Sequence, residues 1–181
     1  MTSLEELRAI VARLRAPDGC PWDREQTHAS LRGGLLEEAH EVAEAIDEKD
    51  DVHLCEELGD LLLQVVMHSQ IAAEEGRFTL DDVAAGIAEK LVRRHPHVFG
   101  EAKADDIGAV LQQWDEIKKA ERQSRGERIE SLLDGVSGAL PALMRAEKIT
   151  KKAAKVGFDW ATPEQVLAKV REELAETEEV L

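Results

Sequence analysis

No stretch of this chain approaches the roughly 20 consecutive apolar residues of a membrane-spanning helix, and no segment alternates apolar and polar residues over a useful strand length. The first absence argues against a transmembrane protein and the second against a sheet. Cysteine is scarce: Cys20 and Cys55 form neither a Cys-x-x-Cys pair nor a disulfide framework, which points to two free thiols in a reducing compartment. Basic charge is scarce as well. Lys plus Arg total 23 against 38 Asp plus Glu, a formal charge of -15, which opposes binding to polymeric nucleic acid or to an anionic membrane. Any polyanionic ligand must be small and met locally. The N-terminal MTSLEELRAIVARLR is charged and amphipathic, with no basic start followed by an apolar run, so it does not read as a signal peptide. A cytoplasmic protein is expected.

What the sequence has in abundance is helical periodicity. With 181 residues and 43% hydrophobic content the chain can build an ordinary core. Ser3 with Glu6 is a capping-box pattern, and Leu4, Leu7, Ile10, Val11 and Leu14 recur at helical spacing to about Arg15. Pro17, Asp18, Gly19 and Pro21 stop that helix, and residues 22–27 read as a loop, in which Trp22 reads first as a core plug and second as a stacking platform. Further helices are expected over 31–49, over 52–75 closed by Gly76, over 80–94 stopped by Pro96, and over 105–122. A Gly- and Ser-containing connector leads to helices over 140–156 and from Thr162, Pro163 and Gln165 onward. The expected architecture is an all-α bundle, dimeric because short helical hairpins with broad apolar faces seldom bury enough surface alone.

Two acidic groups stand out within LLEEAHEVAEAIDEKDDVHLCEELGDLLLQVV, residues 35–66. Glu37, Glu38 and Glu41 spell Glu-Glu-x-x-Glu, and Glu57 with Asp60 spells Glu-x-x-Asp, so each group projects acids from one helix face. The polar DEKDD between them is of a length that joins antiparallel helices and would let the two groups meet. Leu35, Leu36, Val42 and Ile46 around the first group, with Leu58, Leu61, Leu62 and Val65 around the second, suggest acids beside a packed face. Two unit charges about 4 Å apart repel by roughly 4 kcal/mol at an effective dielectric near 20, so a cation must sit among them. An all-carboxylate set suits Mg²⁺, or Mn²⁺, better than zinc. His68, about three turns after Glu57, reads as a hydrogen-bonded or interface histidine. His95 and His97 flank Pro96 at a helix end. Lys90 with Arg94, and Trp114 with Lys118, lie four apart and share faces.

The chain resembles the MazG family of nucleoside triphosphate pyrophosphohydrolases, in which an EExxE helix and an ExxD helix hold Mg²⁺ in an all-α fold. CPWDREQT at 20–27, EEGRF at 74–78, RRHPHVFG at 93–100 and WDEIKKAER at 114–122 follow in the family's order, covering roughly the first 125 residues. The resemblance implies hydrolysis between the α and β phosphates of a nucleoside triphosphate, giving the monophosphate and pyrophosphate. It implies Glu38, Glu41, Glu57 and Asp60 as metal ligands, and Lys90, Arg94 and Lys118, with Arg93 adjacent, on the triphosphate. Trp22 and Trp114 would lie by the nucleotide. Glu37 is a candidate to orient or deprotonate the water, as are Glu38 and Glu41. One rival is a di-iron bundle, since Glu37 and His40 spell Glu-x-x-His, but that design needs a second such pair. Another is a metal- or nucleotide-binding module without turnover. The expected organisation is a catalytic domain over 1–125, a connector over 126–138, and a partial second MazG-like repeat over 139–181. In that repeat Phe158, Asp159 and Trp160 precede Glu172, Glu173 and Glu176. No Glu-x-x-Asp helix follows before Leu181, so no second site is expected there.

Overall fold

The computed structural model describes residues 4–126 and 131–180, and the described residues form helices and turns with no strand. Among the described residues nine helices run in order: α1 Leu4–Arg15, α2 Pro21–Glu25, α3 His28–Glu48, α4 Asp51–Glu74, α5 Leu80–Arg94, α6 Pro96–Phe99, α7 Ile107–Ser124, α8 Ala142–Ala154 and α9 Pro163–Glu179. The chain divides into two units, Met1–Val110 and Leu111–Leu181.

In the first unit the core is a cluster of Val11 from α1, Leu31 from α3, and Val66, Met67 and Ile71 from α4, with Leu7, Leu63 and Leu80 packed against it. Each such side chain, fully buried, stabilises by about 1.5–3 kcal/mol. Caps set the boundaries. Thr27 and Ser30 form a reciprocal capping box at the start of α3, and Thr79 and Asp82 form another at α5. The first helix begins at Leu4, and the expected Ser3 cap lies outside the described residues.

Several expectations are corrected. The acidic hairpin is tighter than the five-residue DEKDD suggests. Helix α3 starts three residues earlier than expected, at His28, because the Thr27 box nucleates it. It ends at Lys49, whose left-handed φ of 58° lets its N–H reach Ala45 O and Ile46 O. Asp50 then caps α4 by accepting from Val52 N and His53 N at 3.0 and 3.1 Å, so only residues 49 and 50 separate the helices. Residues 21–25 are a helical turn with Pro21 at its start rather than loop. Arg15 holds that turn in place: its guanidinium bonds Asp23 O and Gln26 O on one side and the Glu74 carboxylate on the other. Those bonds hold the Glu74 carboxyl below the usual range. Trp22, on the outer side of the turn, is 66% exposed and is no core plug.

In the second unit α8, α9 and the part of α7 from Leu111 onward contain no buried residue. Polar ties dominate. Lys155 pairs with Asp115 at 2.7 Å, and Lys152 donates to Leu132 O and Asp134 O at 3.1 and 2.8 Å. Thr162 makes no side-chain cap on α9; Gln165 instead accepts from Ala161 N.

Candidate metal centre

The two-residue turn makes α3 and α4 antiparallel neighbours, and their register can be read along the seam. His28 Nδ1 lies 2.7 Å from His68 Nδ1, and the amide of Gln64 lies over Gly34, where an added Cβ would come within 3.2 Å of Nε2. One turn further along α3, and one turn back along α4, the same register sets Glu38 opposite Asp60 and Glu41 opposite Glu57. Ligand oxygens of Glu38, Glu41 and Glu57 lie within 4.8 Å of one another, the one group of three or more such ligands among the described residues.

The electrostatics match the geometry. Burial first, then the charges of Asp60 and Glu41, push the Glu38 carboxyl above its ordinary range. Asp60 stands outside the three-oxygen group yet exerts the largest charge effect on Glu38. Glu57 is the buried member, 9% exposed, and His53 one turn earlier places Nε2 3.1 Å from its Oε1. On its other side His53 Nδ1 lies 3.6 Å from Glu48. An all-oxygen donor set of mutually repelling carboxylates fits a hard divalent cation. His40 is exposed and no histidine belongs to the group, so the di-iron alternative finds no support among the described residues.

The apolar rows around the acids behave differently from expectation. Leu36, Ile46, Leu58, Leu62 and Val65 are 53, 55, 49, 40 and 37% exposed, while Leu35, Val42 and Leu61 are half-buried. The core lies at the other end of the hairpin, where α1 and α5 cover α4. Glu37 is exposed. Lys90 and Arg94 are half-buried and Arg93 exposed, all in the last turns of α5. Trp114 and Lys118 belong to the second unit, where Lys118 pairs with Asp115 at 3.1 Å. Cys20 and Cys55 are free thiols. His95 Nδ1 donates to Leu91 O at 2.6 Å and its ring meets His97, a structured helix end as expected.

Sequence reasoning found His68 but missed its partners. The His28 and His68 rings stack 5.0 Å apart, and Arg77 reaches His28 Nε2. Burial, then His28, lowers the His68 pKa. His53 was also missed; its only sequence signal is the four-residue spacing to Glu57.

The fold is all-α among the described residues, and its helical hairpin gathers carboxylates from two facing helices. Residues 26–99 match the MazG nucleotide pyrophosphohydrolase domain. The chain is 50% identical over 175 residues to the nucleoside triphosphate pyrophosphohydrolase/pyrophosphatase MazG of Thermotoga maritima. It is 49% identical over 177 residues to a nucleoside triphosphate pyrophosphohydrolase of Escherichia coli K12. Both alignments cover 97% of this chain and 66% of the relative, so the chain spans somewhat under two thirds of those proteins. The crystal structure of a mazG-related protein from Thermotoga maritima superposes with a TM-score of 0.54 at 30% identity, over 64% of this chain and 99% of that one. The chain belongs to the MazG family.

Proposed function

We propose that the chain is a Mg²⁺-dependent nucleoside triphosphate pyrophosphohydrolase that converts ribo- or deoxyribonucleoside triphosphates to the monophosphate and pyrophosphate, in the service of the nucleotide pool. The observation that carries this reading is the meeting of Glu38, Glu41 and Glu57, with the charge of Asp60 felt at Glu38. Glu38, Glu41, Glu57 and Asp60 would hold Mg²⁺, or Mn²⁺ in its place. Bound there, the ion would lower the pKa of the attacking water and offset charge on the leaving pyrophosphate. Glu37, Glu38 and Glu41 are the candidates to orient that water and accept its proton, and Glu37, the exposed one, is free to do so without surrendering a ligand. Lys90 and Arg94, with Arg93 beside them, carry positive charge for the triphosphate. Lys118, Trp114 and Trp22 are assigned to substrate on the family resemblance.

A homodimer belongs to the same proposal. The exposed Leu58, Leu62 and Val65 form a stripe along α4 at helical spacing, a face that a second copy would cover. No helix among the described residues is long and apolar enough to cross a membrane. With the charge of -15, this favours a small soluble substrate.

The test is hydrolysis in heavy-oxygen water with Mg²⁺, products identified, against a panel of ribo-, deoxyribo- and modified triphosphates. Pyrophosphate with label in the monophosphate is expected, with turnover abolished by EDTA. Label in pyrophosphate, orthophosphate as first product, or full turnover in a metal-free preparation would each defeat the proposal.

A further inference from the structure

We propose that His53 is a positioning residue for the carboxylate cluster, holding Glu57 so that one carboxylate oxygen stays turned toward Glu38 and Glu41. The inference rests on the metal-binding reading of that cluster. His53 Nε2 lies 3.1 Å from Glu57 Oε1, a close polar contact between residues four apart on one helix. With the ring seated against one oxygen the Glu57 carboxylate has less room to rotate and offers the other oxygen in a fixed direction, as the side chains around metal ligands do generally. Glu57 needs such a partner more than its neighbours: it is the buried acid of the three, without the water that solvates an exposed carboxylate.

His53 is itself held from the turn. Asp50 accepts its backbone N–H at 3.1 Å, fixing the first turn of α4, and the Glu48 carboxylate lies 3.6 Å from Nδ1 on the side away from Glu57. The Asp50 cap thus fixes the backbone from which the His53 ring reaches Glu57. The ring stands one helical turn before Glu57, the spacing at which side chains meet.

Mn²⁺ titrated into the full chain without nucleotide, followed by loss of the free-ion resonance, tests this. His53→Ala is expected to weaken Mn²⁺ binding about tenfold. His53→Gln, whose amide can donate to the same oxygen, is expected to restore most of it. In a Glu57→Gln background His53→Ala should add little further loss, because the ring acts through Glu57. Parental affinity in His53→Ala overturns the inference, and so does an equal loss in the Ala and Gln variants or an undiminished loss in the Glu57→Gln background. Since no nucleotide is present, triphosphate hydrolysis can fail while this inference stands; a parental chain that takes up no Mn²⁺ overturns the metal reading and the inference together.

Discussion

Helices α3 and α9 carry the same acidic spelling and treat it in opposite ways. On α9, Lys169 pairs with Glu172 at 2.6 Å and with Glu173 at 3.1 Å, so two of its acids share a lysine of their own helix. That pairing raises the Lys169 pKa. On α3, Glu38 and Glu41 meet Glu57 and the field of Asp60 instead, and among the described residues the basic side chain placed on the group is the His53 ring. The packing differs in the same sense: the first unit has a buried core, whereas α7, α8 and α9 bury no side chain. A Glu-Glu-x-x-Glu run therefore becomes a candidate metal site only when a second acidic helix is pressed against it and no lysine intervenes.

The sharpest way to break this contrast is to delete each claw in turn. Glu38→Ala with Glu41→Ala is expected to cost pyrophosphohydrolase activity at least a hundredfold, whereas Glu173→Ala with Glu176→Ala should change it less than about twofold, because removing metal ligands forfeits the transition-state stabilisation they support. Initial rates of pyrophosphate release decide it, and the reverse order would move the site to α9. Next in size is the packing contrast. Ile71→Ala should cost about 2–5 kcal/mol in denaturant unfolding, while Leu167→Ala, 56% exposed on α9, should cost less than about 1 kcal/mol. A larger loss at Leu167 would show that α9 is covered in solution.

Smaller effects sharpen the electrostatic side. In EDTA, Glu38→Gln should raise the thermal midpoint by about 2 °C by relieving repulsion, with Mg²⁺ reversing the order of the two proteins. Glu172→Gln should give no such rise, since it removes a partner of Lys169. Smallest is a pH effect in the first unit. His68 has a lowered pKa when folded, so the unfolded chain binds its proton more readily, and stability is full above about pH 6.5 and declines as pH falls below it. His68→Gln should flatten that part of a stability profile measured by denaturant midpoint. An unchanged slope would show that His68 does not titrate differently on folding.

Local chemistry and the meeting of the two claws were legible in the sequence, while the facing of the histidines and the side on which the apolar rows pack were not. The bounds of α5 follow from Thr79 with Asp82 and from Pro96, signals within one element, and the structure reproduces them at Leu80–Arg94. The claws were legible because spacings of three and four fix a helix face before any packing is known. Trp22 was misjudged because side-chain size says nothing about direction: Arg15 pins the carbonyls of its turn and leaves the indole outside. The leucines around the acids were misjudged because one hairpin has two sides and α1 and α5 cover only one end of it. His28 gave no signal, since its partner His68 is set by the register of two helices joined through Lys49 and Asp50, and His53 gave only its four-residue spacing to Glu57.

The stacked histidines bear on which cations the hairpin can admit. Arg77 has only donors to offer, so His28 Nε2 must accept from it, which places the His28 hydrogen on Nδ1. His28 Nδ1 then donates to His68 Nδ1, and the remaining His68 hydrogen sits on Nε2, a buried nitrogen with no acceptor among the described residues. Neither ring keeps a free lone pair. Two imidazoles whose facing nitrogens are 2.7 Å apart would otherwise invite zinc or copper two turns along α4 from Asp60. A guanidinium that touches only one of them withdraws both from coordination, and the cluster of Glu38, Glu41 and Glu57 is left as the grouped set of metal-ligand atoms among the described residues, all of them oxygen.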